Sequence, residues 1–163
     1  MGNKANNKMN EKFKNITDRM PFLLQSLLKQ PPIAIDDIGI TEVPQKGVYV
    51  LFEGDKPIYV GRSNRMKERL KEHSQRSSDH YSATLAFRIA KQEYFNSQEE
   101  GRRQTNEQLM QNSIFREKFE AAKGRIAKTR IRFIEIEDQV EQAMFEIYAA
   151  LVLDTELNDF GTH

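Results

Sequence analysis

Gly47-Val48-Tyr49-Val50-Leu51-Phe52-Glu53-Gly54-Asp55-Lys56-Pro57-Ile58-Tyr59-Val60-Gly61 is the stretch that decides the fold. Residues 47–52 and 57–61 are rich in β-branched and aromatic side chains, which is strand composition. Between them Glu53-Gly54-Asp55-Lys56 is turn chemistry: glycine supplies backbone freedom and aspartate hydrogen-bonds its own turn. So short a connection makes the pair a β-hairpin. Tyr49 and Tyr59 then lie on adjacent strands. Their rings either pack across the pair or bring two phenol groups to one place, and the spacing leaves both readings open.

Downstream of the hairpin, Ser63 or Asn64 can cap a helix over about 65–76. Ser77-Ser78-Asp79 is a break, followed by a helix carrying Leu85, Phe87, Ile89 and Ala90. Residues 96–106 read as a polar loop. One charged helix is expected from about 106 to 123, with Leu109, Ile114, Phe115 and Phe119 as its apolar stripe. Thr129 to Glu137 alternates as a third strand, and 139–154 is a strongly apolar helix, expected to be buried all round. Upstream, Phe13, Ile16, Met20, Leu23, Leu24 and Leu27 recur at helical spacing over 10–30. Pro21 predicts a break or kink there and Pro31-Pro32 an end, with an irregular connection over 33–46. The order predicts an α+β fold: a small three-stranded, mostly antiparallel sheet, the hairpin plus one later strand, flanked by helices.

The 163 residues include 25 Lys+Arg and 24 Asp+Glu, a net charge of +1, and no cysteine. Disulfide scaffolds, Cys-ligated zinc, iron–sulfur clusters and thiol nucleophiles are excluded. Three histidines make a His-rich metal cage an unsuitable reading. No apolar run reaches the roughly 18 residues of a membrane span, so no membrane partner is expected. The first 19 residues have no apolar signal core, and a cytoplasmic location is expected. The near-neutral total hides an asymmetry: +4 over residues 1–30, +5 over 56–76 and −8 over 133–159. This fits phosphate contact at one face and cation contact at another, or simply solvated helix faces.

Three groups of side chains could carry chemistry. Glu146 is the one polar residue in Met144-Phe145-Glu146-Ile147-Tyr148-Ala149-Ala150-Leu151-Val152-Leu153 apart from the tyrosine hydroxyl. A carboxylate in such a helix needs a cation, a proton or a window to solvent. Arg65, Arg69 and His73 recur every four residues along one helix face, with Arg62 just before it. That row suits a phosphate, since guanidinium offers paired donors to phosphate oxygens, or it is a solvated face paired with Glu68 and Glu72. The two tyrosines are the third group.

Gly47-Val48-Tyr49, nine residues, then Tyr59-Val60-Gly61 resembles the paired motif of the GIY-YIG nuclease superfamily, with valine at both central positions. Arg69 falls eight residues after Gly61 and His73 four further on, as in that family's helix. Glu146 matches its metal-binding glutamate, Asn158 its terminal asparagine, and His80 a polar position of some members. The resemblance covers about residues 45–160. It implies hydrolysis of DNA phosphodiester bonds with Mg²⁺ or Mn²⁺ held mainly by Glu146. Tyr49 would activate the attacking water, Tyr59 would position water or phosphate, and Arg69 would neutralise the scissile phosphate. His73 would transfer a proton or orient Tyr49, and Asn158 would orient the end of the site. One carboxylate suits Mg²⁺, which keeps most of its positions for water and phosphate. On this reading 1–44 is an N-terminal helical extension and linker, and 45–163 is the nuclease domain with a helical insertion around 91–128. DNA is the expected partner, through Arg62, Arg65, His80, Arg102, Arg103, Lys123 and Arg125. The N-terminal helix or the insertion could also form a homodimer. The alternatives are a catalytically silent nucleic-acid-binding module on the same fold and an interaction domain with a coincidental motif.

Overall fold

The computed structural model describes residues 3–97 and 104–161. Its helices are α1 (Asn3–Lys29), α2 (Met66–Ser74), α3 (Thr84–Ser97), α4 (Asn106–Gln111), α5 (Ser113–Ala127) and α6 (Gln139–Leu153). The strands are β1 (Ile33–Ala34), β2 (Gly47–Glu53), β3 (Lys56–Ser63) and β4 (Arg130–Glu135), and a 3-10 helix spans Ile35–Gly39. The sheet order is β1-β4-β2-β3. The α+β expectation holds. The sheet has four strands where three were expected, because part of the segment read as irregular pairs as the two-residue β1. The chain divides into two compact units: Met1–Pro32, Pro44–Met66 and Ile131–His163 form one, and Ile33–Val43 with Lys67–Arg130 form the other.

In the first unit β2 and β3 pair antiparallel, with Tyr49 opposite Gly61 and Val48 opposite Arg62. The turn needs Gly54, whose φ of 57° suits a residue without a Cβ. The register shifts between Leu51 and Phe52. β4 runs antiparallel beside β2: Ile136 N donates to the Lys46 carbonyl, while Arg132 lies over the Phe52 ring at the other end. Alternation puts Val48, Val50 and Val60 on one face. They form a core with Met20, Leu23, Leu24 and Leu27 of α1 and Phe145, Ala149 and Ala150 of α6. The N-terminal helix is thus a structural layer of this unit.

α1 is continuous through Pro21, so of the break or kink expected there the break does not occur. Proline removes one helical donor, at a cost of about 3 kcal/mol. Burial of Met20, Leu23, Leu24 and Leu27 around it is enough to offset that cost, at about 1.5–3 kcal/mol for each large side chain. α6 begins where Asp138 accepts from Glu141 N. It is not buried all round: Val140, Ile147, Leu151 and Val152 are exposed, so only one side of it serves the core.

The second unit is helical. Its centre is a T-shaped ring cluster in which Phe87 meets Phe115 and Phe119, and Tyr94 meets Phe115. The single helix expected over 106–123 is two. Asn112 accepts from Phe115 N and so starts α5, while Thr105 and Gln108 form a reciprocal cap at the start of α4. A side-chain oxygen that satisfies a backbone N–H in this way competes with helix continuation.

Candidate active site

The hairpin's two glycines explain its motif. A Cβ on Gly61 would clash with the Tyr49 hydroxyl and lie 2.9 Å from Tyr59 Cε1. Gly61 is therefore the seat of the Tyr49 phenol. A Cβ on Gly47 would clash with the Ile134 carbonyl oxygen, so this glycine lets β4 approach. Tyr49 is 1% exposed, and its ring lies 6.2 Å from that of the half-buried Tyr59, tilted by 54°. The structure brings these two expected residues together.

Glu146 lies across the sheet from them. Alternation along β3 puts Tyr59 and Gly61 on one face and Val60 and Arg62 on the other, toward α6. Arg62 Nε donates to Glu146 Oε2 at 2.9 Å. Burial pushes the Glu146 carboxyl above the usual carboxylate range, and Arg62 works against that shift. β3 is the edge strand, the common border of the tyrosine pair and the Arg62–Glu146 pair.

Asn158 lies on that border. Its side-chain amide accepts from Val60 N and donates to the Val60 carbonyl, each at 2.8 Å, copying a neighbouring strand. Thr155 Oγ1 donates to Asn158 Oδ1, and Leu157 N donates to the Ile58 carbonyl. Asn158 thus fixes the residue between Tyr59 and Gly61. Gln142, which sequence reasoning passed over, is 1% exposed and donates to the Ile136 carbonyl and to Asn64 Oδ1. Its signal was its position one turn before Glu146 on the same helix.

Arg69, His73 and His80 belong to the second unit. Arg69 donates to Glu72, to the Ser82 carbonyl and to Thr84 Oγ1, which ties α2 to the start of α3. His73 is fully buried. Burial, with Arg69 and then Arg88 adding repulsion, lowers it from 6.5 to about 3. The ring is thus held neutral at neutral pH. The His80 ring lies tilted against Tyr81 and Phe87, with centroids 4.0 Å and 5.5 Å apart.

The expected DNA contacts divide. Arg65 is exposed at the start of α2, and Arg125 is half-buried in the last turn of α5. Lys123 is 4% exposed, and its ammonium donates to the Arg76 carbonyl and to Glu120. It pins the end of α2 and offers no face to a phosphate. Arg102 and Arg103 lie outside the described residues.

Among the described residues no group of three His, Asp or Glu could hold a metal. Glu146 stands as a single carboxylate, a donor set that fits Mg²⁺ or Mn²⁺ when water and substrate oxygens complete the shell. No helix among the described residues is long and apolar enough to cross a membrane.

A family model described as the GIY-YIG catalytic domain matches residues 45–148, a span that contains both tyrosines, Arg69, His73 and Glu146 and stops short of Asn158. No curated protein and no solved structure matches the chain significantly. Since the match covers well over half of the 163 residues, the chain belongs to the GIY-YIG family, a superfamily of nucleases.

Proposed function

We propose that the protein is a metal-dependent endonuclease that hydrolyses phosphodiester bonds in DNA. The observation that carries this is Glu146: a carboxylate set largely out of water in an apolar helix, beside a single arginine. A purely structural helix would be better served by an apolar residue there. Mg²⁺ or Mn²⁺ held by Glu146 would supply charge neutralisation at a phosphoryl oxygen and at the leaving group. The chain's own residues would do the rest. Tyr49, seated over Gly61, and the more accessible Tyr59 would hold and orient the attacking water. Arg69 would neutralise the phosphate as charge builds on it. His73 would take part in proton transfer or orientation, and Asn158 would keep β3 in register beneath Tyr59.

Incubation of supercoiled plasmid with the protein and Mg²⁺ or Mn²⁺ tests the proposal. Nicking is expected, and Glu146→Ala should abolish it with little loss of stability, because the change removes a partly desolvated carboxylate. Equal nicking by Glu146→Ala would remove this residue from the mechanism. DNA binding by the wild type without nicking under either metal would leave the silent binding module as the reading.

A further inference from the structure

The cation at Glu146 is part of the chain. Arg62 reaches back from the end of the edge strand, and its Nε lies 2.9 Å from Glu146 Oε2. Among the described residues no other cation pairs with this carboxylate. The two side chains differ in freedom: that of Arg62 is 44% exposed and that of Glu146 is 21% exposed. Glu146 is held on a helix whose neighbouring Phe145, Ala149 and Ala150 are core residues. Arg62 is anchored by its backbone opposite Val48 in the hairpin, while its side chain has solvent to move into.

A guanidinium stays charged at any working pH, so it cannot leave the carboxylate by losing a proton. A divalent ion on the same oxygens would face a full positive charge a few ångströms away, and that repulsion is least screened where water is partly excluded. The two cations therefore compete for one carboxylate. We propose that Arg62 is the resident counter-ion of Glu146 and must swing away before a divalent cation can bind there. The exchange is a side-chain movement and leaves the hairpin register intact. It makes the free protein a poor metal binder, with Arg62 as a positioning residue that acts through Glu146. This inference rests on the proposed metal role of Glu146.

Mn²⁺ binding to the DNA-free protein, followed by the electron paramagnetic resonance signal of unbound Mn²⁺, tests the exchange. The proteins compared are the wild type, Arg62→Gln, Arg62→Lys and Glu146→Gln, each shown to be folded by thermal unfolding. Arg62→Gln keeps a neutral donor and removes the charge, so it should bind Mn²⁺ about fivefold more tightly, the scale of one partly exposed ion pair. Arg62→Lys keeps the charge and should stay near the wild type. Glu146→Gln should lose the site. If Glu146→Gln loses it but Arg62→Gln binds no more tightly than the wild type, the exchange is overturned and the metal role stands. If Glu146→Gln still binds as the wild type does, both are overturned.

Discussion

At the scale of single residues, the motif is a matter of missing methyl groups. Gly61 leaves room for a phenol, and Gly47 leaves room for a carbonyl oxygen of β4. The two glycines should therefore respond differently to alanine. Gly61→Ala meets a side chain that can yield, and it is expected to cost about 1–3 kcal/mol in urea denaturation. In a Tyr49→Phe background the hydroxyl is gone but the ring carbon Cζ still lies 2.5 Å from the new methyl and Tyr59 Cε1 2.9 Å, so the cost should shrink only in part, and a double-mutant cycle reads the coupling. Gly47→Ala meets backbone and has no comparable relief, so its cost should be larger and insensitive to Tyr49→Phe. The spacing of the motif was legible in the sequence. That Gly61 is the seat of Tyr49 was not, because the pair is made across two strands and depends on register.

At the scale of elements, the edge strand is completed by a side chain. The Asn158 amide satisfies both backbone groups of Val60. Asn158→Ala should speed hydrogen exchange at the Val60 amide and cost about 1–3 kcal/mol, the range for leaving part-buried polar groups unpaired. Unchanged exchange at Val60 would show that this contact is not what holds the strand. Elements with a strong period were readable: the hairpin, the third long strand and the helix after it all lie within a few residues of expectation. What escaped lacked a period or depended on partners. Two residues of β1 are too few to alternate. Asn112 looked like one more polar position on a helix until its side chain took the Phe115 N–H. Pro21 signalled a break that packing of the flanking leucines overrode. The apolar run of α6 gave no way to tell that Val140, Ile147 and Leu151 face outward. For the site, Glu146 stood out as a charge among apolar neighbours, whereas its pairing with Arg62 spans 84 positions and has no local trace.

At the scale of the molecule, much of the charge asymmetry is internal pairing. Of the acidic residues over 133–159, Glu137 pairs with Lys46, Glu141 with Arg19, Glu146 with Arg62 and Glu156 with Lys56. Each is a partner from earlier in the chain within the first unit. Such pairs contribute little singly, about 0–1 kcal/mol when exposed, but together they offset segments of opposite sign. Global stability should also depend on pH through His73. Its folded value of about 3 lies below the ordinary 6.5, so between these values the unfolded chain takes up a proton that the folded chain refuses. Stability is full above about pH 6.5 and falls as the pH drops, by up to about 1.4 kcal/mol per pH unit from this group. Urea denaturation at about pH 7 and about pH 5 should show that loss, and His73→Leu should reduce it. An equal pH slope in His73→Leu would assign the loss to other groups.

The amide clasp on Val60 also sets an order in time. It joins residues 98 positions apart, and the helix that carries Glu146 arrives nearly as late. During synthesis the tyrosine hairpin therefore emerges from the ribosome long before its edge can be closed. For that interval the Val60 N–H and carbonyl are open to pairing with any other extended chain. The same delay keeps the hairpin away from its carboxylate. A growing chain holds both phenols yet lacks Glu146, so Tyr49, Tyr59 and Glu146 come together only after the hairpin has waited for the later helix to be made.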